Sequence, residues 1–264
     1  MKSKEPSGWK EFLVLRAKTV HERAKLMAAS GERSRLDLSP AHVLELLERY
    51  PVLYREAWVT PSNTASRFAC DGFDVGGGWF RIVDALSAKL ARDKALHVVQ
   101  LKEKYGRLTV YFERDEGVPV DRRLDAMLDV ALDKAGDRST RTCEVCGGRG
   151  TREKRGHTVC VRCVSCLQIE EMVDACRRIA ECTKGLDSAA FSANENSQDA
   201  VRLAMLHIGH ASFERSPKSR ARLPGIDWAS LDRLQDTAGI MRISAKEIWK
   251  FVREDAPELE RKLR

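Results

Sequence analysis

The sequence predicts an α+β protein: an N-terminal α+β domain closed by a cysteine-rich segment, followed by an all-α helical bundle. Three observations carry this. Val98–Leu101 and Leu108–Phe112 are β-rich runs joined by KEKYG, the pattern of a hairpin with Gly106 in its turn. Paired cysteines crowd the stretch from Cys143 to Cys163. Beyond Gln168, apolar residues recur at helical spacing: Ile169, Met172, Cys176 and Ile179, then Val201, Met205, Ile208 and Ala211, then Ile248, Val252 and Leu259. Stripes of this kind need helical partners, which is how a bundle forms. A chain of 264 residues can bury two modest cores. The sequence divides into a basic helical extension (1–36), an α+β domain (37–141), a cysteine segment (142–166) and the helical bundle (167–264).

The elements follow in order. SGWKEFLVLRAKTVHERAKLMAASG reads as a helix capped by Ser7 and stopped at Gly31, with Phe12, Leu15, Val20 and Leu26 roughly on one face. SPAHVLELLERY reads as a second helix, Ser39 capping it, Pro40 opening it and Pro51 closing it. Residues 57–78 read as irregular. GGG at 76–78 leads into a helix over Trp79–Asp93, and its position invites the idea of a phosphate cradle. It lacks the Lys-Ser/Thr of a P-loop and the preceding strand of a dinucleotide fold, so close backbone packing is the reading adopted. After the hairpin, a helix over Val120–Ala135 ends at Gly136. The helical pattern past Cys166 is interrupted at about 184–196 and 214–227, and breaks and restarts around Glu254–Pro257.

Composition narrows the function classes. No apolar run approaches the ~20 residues of a membrane helix, and MKSKEPSGWKEFL lacks the apolar core of a signal peptide. The expectation is a cytoplasmic protein whose eight cysteines stay reduced. The net charge of +7 concentrates in residues 1–36 and 138–162, which weakly favours an acidic partner.

Cys143-x-x-Cys146 and Cys160-x-x-Cys163, thirteen residues apart, have the spacing of a four-thiolate zinc ribbon or knuckle. Two cysteines separated by two residues can turn both sulfurs onto one ion at ~2.3 Å, and two such turns supply a tetrahedral shell. Gly147 and Gly148 permit the tight turn. Four thiolates leave no position open for water, so the predicted Zn2+ is structural. His157 and Cys166 rank below these four as ligands. Cys176 and Cys182 lie in a helical pattern and read as core residues. Between the pairs, Arg149, Arg152, Lys154 and Arg155 either contact phosphate or offset the negative tetrathiolate.

Two resemblances extend this reading. GWFRIVDAL, VVQLKEKYGRLTVYF and TCEVCGG together resemble an uncharacterised phage and bacterial family with a zinc ribbon, which implies no activity. VDACRRIAECTKGLDSAAFSANENSQDAVRLAMLHIGHA, LPGIDW (Leu223–Trp228) and IWKFVREDAPELERKL (Ile248–Leu263) resemble, in order, the HepT-like family. These are the helical ribonucleases of minimal nucleotidyltransferase toxin–antitoxin pairs.

That resemblance implies RNA cleavage by an Arg-x4-His-x-Tyr motif between the Trp of the IDW segment and the last helix, with arginine orienting phosphate and histidine transferring protons. It also implies a homodimer through the C-terminal helices. Counted from Trp228, the three motif positions fall on Gln235, Ile240 and Arg242. No histidine follows His210 and no tyrosine follows Tyr111. Neither Gln nor Ile supplies a cation or titrates near neutral pH. Arg233 is a displaced candidate for the arginine. Arg202-x4-His207 has the spacing but lies in another helix, and His210 follows on it.

The sequence thus points to a HepT-like toxin–antitoxin or phage-defence component with a degenerate site that binds RNA or a nucleotidyltransferase. The alternatives are a ribonuclease rebuilt from Arg202, His207, His210 or Arg233, and a zinc-dependent nucleic-acid-binding regulator.

Overall fold

The computed structural model describes residues 18–30, 37–61, 66–119 and 121–264. It divides into two compact units, Met1–Cys163 and Val164–Arg264. The chain is mixed helix and strand, as an α+β composition requires.

In the first unit, α1 spans Val20–Ser30. The cap expected at Ser7 and the stop at Gly31 lie outside the described residues, as do Phe12 and Leu15. The described helix has its own cap: Glu22 N–H donates to Thr19 Oγ1 (3.1 Å) and Thr19 N–H to the Glu22 carboxylate (3.0 Å), a reciprocal capping box. Val20 and Ala24 are buried, while Leu26 faces solvent.

α2, Pro40–Arg49, forms where expected, with Ser39 accepting from His42 N–H and Pro40 in the first turn. A 3-10 turn (Arg55–Trp58) runs into the stretch read as irregular, which holds the short α3 (Arg67–Asp71) and a two-residue strand β1 (Phe73–Asp74). A second 3-10 turn, Gly77–Trp79, leads into α4, Phe80–Leu90.

β2 (Leu96–Lys104) and β3 (Arg107–Arg114) pair antiparallel, and β1 joins β2 in parallel, giving the order β1-β2-β3. Tyr105 and Gly106 both sit at positive φ (52° and 72°), the two-residue turn whose twist matches the flanking strands. α5 runs Arg122–Ser139 and passes through Gly136, where the sequence placed its end. A Cβ at Gly136 would lie 2.6 Å from the Arg107 guanidinium. The glycine makes room for Arg107 to cross the helix and reach Asp133 and Asp137. The core packs Trp79, Phe68, Tyr54 and Leu46 against Val98 and Leu101 of β2 and Leu108 of β3. A second hairpin, β4 (Thr151–Arg155) and β5 (Thr158–Arg162), follows.

The second unit is built from helices: α6 (Val164–Cys182), α7 (Ser188–Ser192), α8 (Glu195–Phe213), α9 (Pro217–Arg220), α10 (Trp228–Asp232), α11 (Thr237–Arg242), α12 (Ala245–Lys250) and α13 (Ala256–Leu263). Met172, Cys176 and Ile179 of α6 share one buried cluster with Val201, Met205 and Ile208 of α8 and with Ile248, Val252 and Leu259. The break expected near Pro257 is instead a π-helical turn over Phe251–Asp255, with Ala256 N–H donating to Phe251 O. The wider turn lets the chain stay helical past a residue that has no N–H to give.

Gly209 lets α8 approach the turn before α11. A Cβ there would lie 2.3 Å from Gln235 N and 2.4 Å from the Leu234 carbonyl carbon. Backbone cannot swing aside as a side chain can, so Gly209→Ala is expected to destabilise the second unit by about 1–3 kcal/mol. Urea denaturation followed by circular dichroism checks this; an unchanged midpoint would refute the close packing.

Candidate metal centre and candidate ribonuclease site

The structure gathers four thiols, those of Cys143, Cys146, Cys163 and Cys166, with sulfurs all within 4.8 Å of one another. Cys146 and Cys163 Sγ are 3.6 Å apart. A disulfide requires ~2.05 Å. Four sulfurs placed ~2.3 Å from one tetrahedral ion lie about 3.8 Å from each other. The set could therefore hold a metal ion and is compatible with structural zinc.

Three of these cysteines are the ones the spacing selected. The fourth is Cys166, not Cys160, and secondary structure explains the exchange. CVRCVSC contains two overlapping Cys-x-x-Cys pairs. Cys160 sits in β5, opposite Glu153 of β4. A strand advances ~3.3 Å per residue, so extended chain carries residues three apart about 10 Å from each other. Cys163 precedes α6 and Cys166 lies in its first turn. Residues three apart on a helical turn share a face. The β-branched residues of TVCVR, Thr158, Val159 and Val161, were the signal that the strand extends past Cys160.

The first pair is held by backbone geometry. Cys143 N–H donates to Gly148 O (2.8 Å) and Gly147 N–H to Cys143 O (2.9 Å), with Gly147 at φ 71°. The GGG segment packs on this turn. Gly78 N–H donates to Glu144 O (2.6 Å), and a Cβ on Gly78 would lie 2.2 Å from Cys143 O. Trp79, fully buried, donates its indole N–H to Thr142 O at 2.7 Å. The glycines thus serve close backbone packing.

Glu144 ties the turn to the second hairpin. One carboxylate oxygen accepts from Val161 N–H (2.7 Å) and the other from Arg162 (2.6 Å). β5 is thereby pinned to the first cysteine pair, and its end delivers Cys163. In the second unit, Arg215 donates to Ser165 O (2.6 Å) and steadies the first turn of α6, where Cys166 stands. Cys176 stands apart from this cluster: burial, then the Glu260 charge, push its thiol up to about 12, as suits an unreactive core residue.

Among the cations between the pairs, Arg149, Arg152 and Lys154 are exposed, and Arg155 ends β4. Arg149, Arg152 and Lys154 form no ion pair among the described residues.

The second unit separates the proposed catalytic groups. Arg202 is partly buried and donates to Asp199 (2.9 Å), Gln198 (3.5 Å) and Ile243 O (3.3 Å). His207 and His210 are exposed on the same helix. Residues 202 and 207 are turned about 140° from each other, so they do not address one phosphate within one chain. Gln235 lies under Gly209. Ile240, where the resemblance would place a histidine, is 2% exposed and belongs to the core.

Arg233 is exposed, donates to Ser230 Oγ (2.7 Å) and lines an open groove of ≈ 590 Å³ beside Ile240 and Lys262. No imidazole lines that groove. The LPGIDW segment is structural. The Arg215 and Arg220 guanidiniums lie 5.2 and 5.6 Å from the Trp228 ring centre, and Arg220 also grips Asp232 (2.8 Å).

No family model matches this chain, and no solved structure matches it. Among curated proteins it is similar to a probable ribonuclease HepT from Thermococcus cleftensis (strain DSM 27260 / KACC 17922 / CL1). The two are 31% identical over 97 residues, which is 36% of this chain and 87% of that protein.

Proposed function

Because this chain belongs, through a segment of 97 residues, to the HepT ribonuclease family, we propose that it is a HepT-like toxin–antitoxin or phage-defence component that binds RNA without cutting it. The observation that carries this reading is Ile240. An aliphatic side chain, buried in the core, stands where the resemblance calls for a proton-transferring imidazole. His207 and His210 lie on another helix, and Arg202 is committed to the Asp199 carboxylate and the Ile243 carbonyl.

In this reading Zn2+ is held by Cys143, Cys146, Cys163 and Cys166 and serves as a cross-link, four thiolates leaving no site for water. RNA phosphates meet Arg149, just before the second hairpin, and Arg152, Lys154 and Arg155 of β4. The protein acts as a homodimer through its C-terminal helices, and a nucleotidyltransferase is its partner in the locus.

Incubation of the purified protein with tRNA and total RNA tests the proposal. Binding is expected with no cleavage, and the same result for the His207→Ala/His210→Ala double variant. Cleavage by the wild type that this variant loses would establish a rebuilt active site and overturn the reading. The Arg152→Ala/Lys154→Ala/Arg155→Ala variant is expected to lower the slope of log K against log salt by about 2, at ~0.7 per phosphate contact on single strands. An unchanged slope would remove the hairpin from the interface.

A further inference from the structure

α5 sorts its charges. Asp125 is held by Arg114 (2.6 Å), and Asp133 and Asp137 are held by Arg107. Asp129 lies about 140° around the helix from Lys134. On the remaining face Arg123, Met127, Val130, Lys134 and Arg138 follow at helical spacing, one stripe along the outside. Met127 and Val130 are 50% and 51% exposed.

α4 supplies the opposite wall through Ala85 and Lys89, with Arg92 just beyond its end. The seam opens into a groove of ≈ 420 Å³ lined by Lys89, Arg92, Arg123, Met127 and Val130. It continues past Ala85, Lys134 and Arg138. Lys89, Arg92, Arg123, Lys134 and Arg138 form no ion pair or side-chain hydrogen bond among the described residues. The one carboxylate on the facing part of α4, Asp84, is engaged by Arg49 (2.7 Å) and Tyr50 (2.9 Å).

We propose that the α4–α5 groove of the first unit is a docking surface for an acidic amphipathic helix of a partner protein. Charge complementarity selects the occupant. Five cations without a counter-charge among the described residues rim a floor that is apolar, and a helix with leucine-like residues on one stripe and Asp or Glu beside it satisfies both. A phosphate backbone would satisfy only the rim and leave Met127 and Val130 covered by charge. Methionine suits a surface that must mould to a helix face. This surface is separate from the hairpin cations and does not depend on RNA binding.

The test uses the full chain and a fluorescein-labelled synthetic helical peptide with leucine at i, i+4, i+7 and i+11 flanked by glutamate. A scrambled peptide of the same composition is the control. The amphipathic peptide is expected to bind, and the scrambled one to bind at least about tenfold more weakly. Lys89→Glu/Arg123→Glu and, separately, Met127→Ser/Val130→Ser are each expected to weaken binding about tenfold, equivalent to about 1.4 kcal/mol. All four residues are exposed, and thermal melts confirm that the variants stay folded.

Absence of binding overturns the proposal. So does equal binding of the scrambled peptide, or indifference to the Met127/Val130 pair. An oligouridylate whose binding falls with Lys89→Glu/Arg123→Glu but not with Met127→Ser/Val130→Ser would make the groove a nucleic-acid site, which also overturns it.

Discussion

Cys166→Ser is expected to strip stoichiometric zinc from the purified protein, while Cys160→Ser leaves it bound. The four sulfurs that converge are those of Cys143, Cys146, Cys163 and Cys166, while Cys160 lies within β5. Structural zinc in small sites contributes on the order of 10–16 kcal/mol of apparent binding free energy at neutral pH. Loss of one thiolate should therefore be visible both as metal content by atomic absorption and as a lowered melting temperature. Cys143→Ser and Cys163→Ser should behave as Cys166→Ser does. Zinc retained in Cys166→Ser and lost in Cys160→Ser would reinstate the cysteine set read from spacing. Zinc absent from the wild type under metal-replete expression would refute the centre itself.

Trp79→Ala should be the most damaging single core substitution in the first unit. The side chain is fully buried, and its indole N–H is donated to Thr142 O at 2.7 Å, directly before Cys143. Truncation of a buried Trp costs about 3–5 kcal/mol through lost burial and the cavity left behind. The orphaned carbonyl adds about 1 kcal/mol or more. Trp79→Phe keeps much of the apolar volume and should cost less. Trp58→Ala, at a residue 42% exposed, should stay near ±0.5 kcal/mol. Chemical denaturation of the three variants measures these differences. Similar losses at Trp58 and Trp79 would contradict the placement of the core.

The parts of the fold that local chemistry dictates were legible. Ser39 and Pro40 begin α2 because a hydroxyl cap and a preset φ act within one turn. Gly106 marks the β2–β3 hairpin because a two-residue turn there needs positive φ. The apolar stripes of Met172, Val201 and Ile248 are buried together because helical period alone places them on one face. The elements missed depend on partners distant in sequence. Gly136 reads as a helix stop until Arg107, far earlier in the chain on β3, is seen lying across it. β1 is two residues long and exists only because β2 offers it an edge.

The candidate sites divide the same way. The cysteines that could bind a metal, and the aliphatic Ile240 where the resemblance expects an imidazole, could be read from the letters of the chain. Which overlapping Cys-x-x-Cys pair converges, and that Arg202 is spent on Asp199 and Ile243, were decided only in three dimensions. A spacing rule states how far apart two ligands are along the chain. Whether that interval is strand or helical turn determines their separation in space, and β5 ends and α6 begins between Cys160 and Cys166.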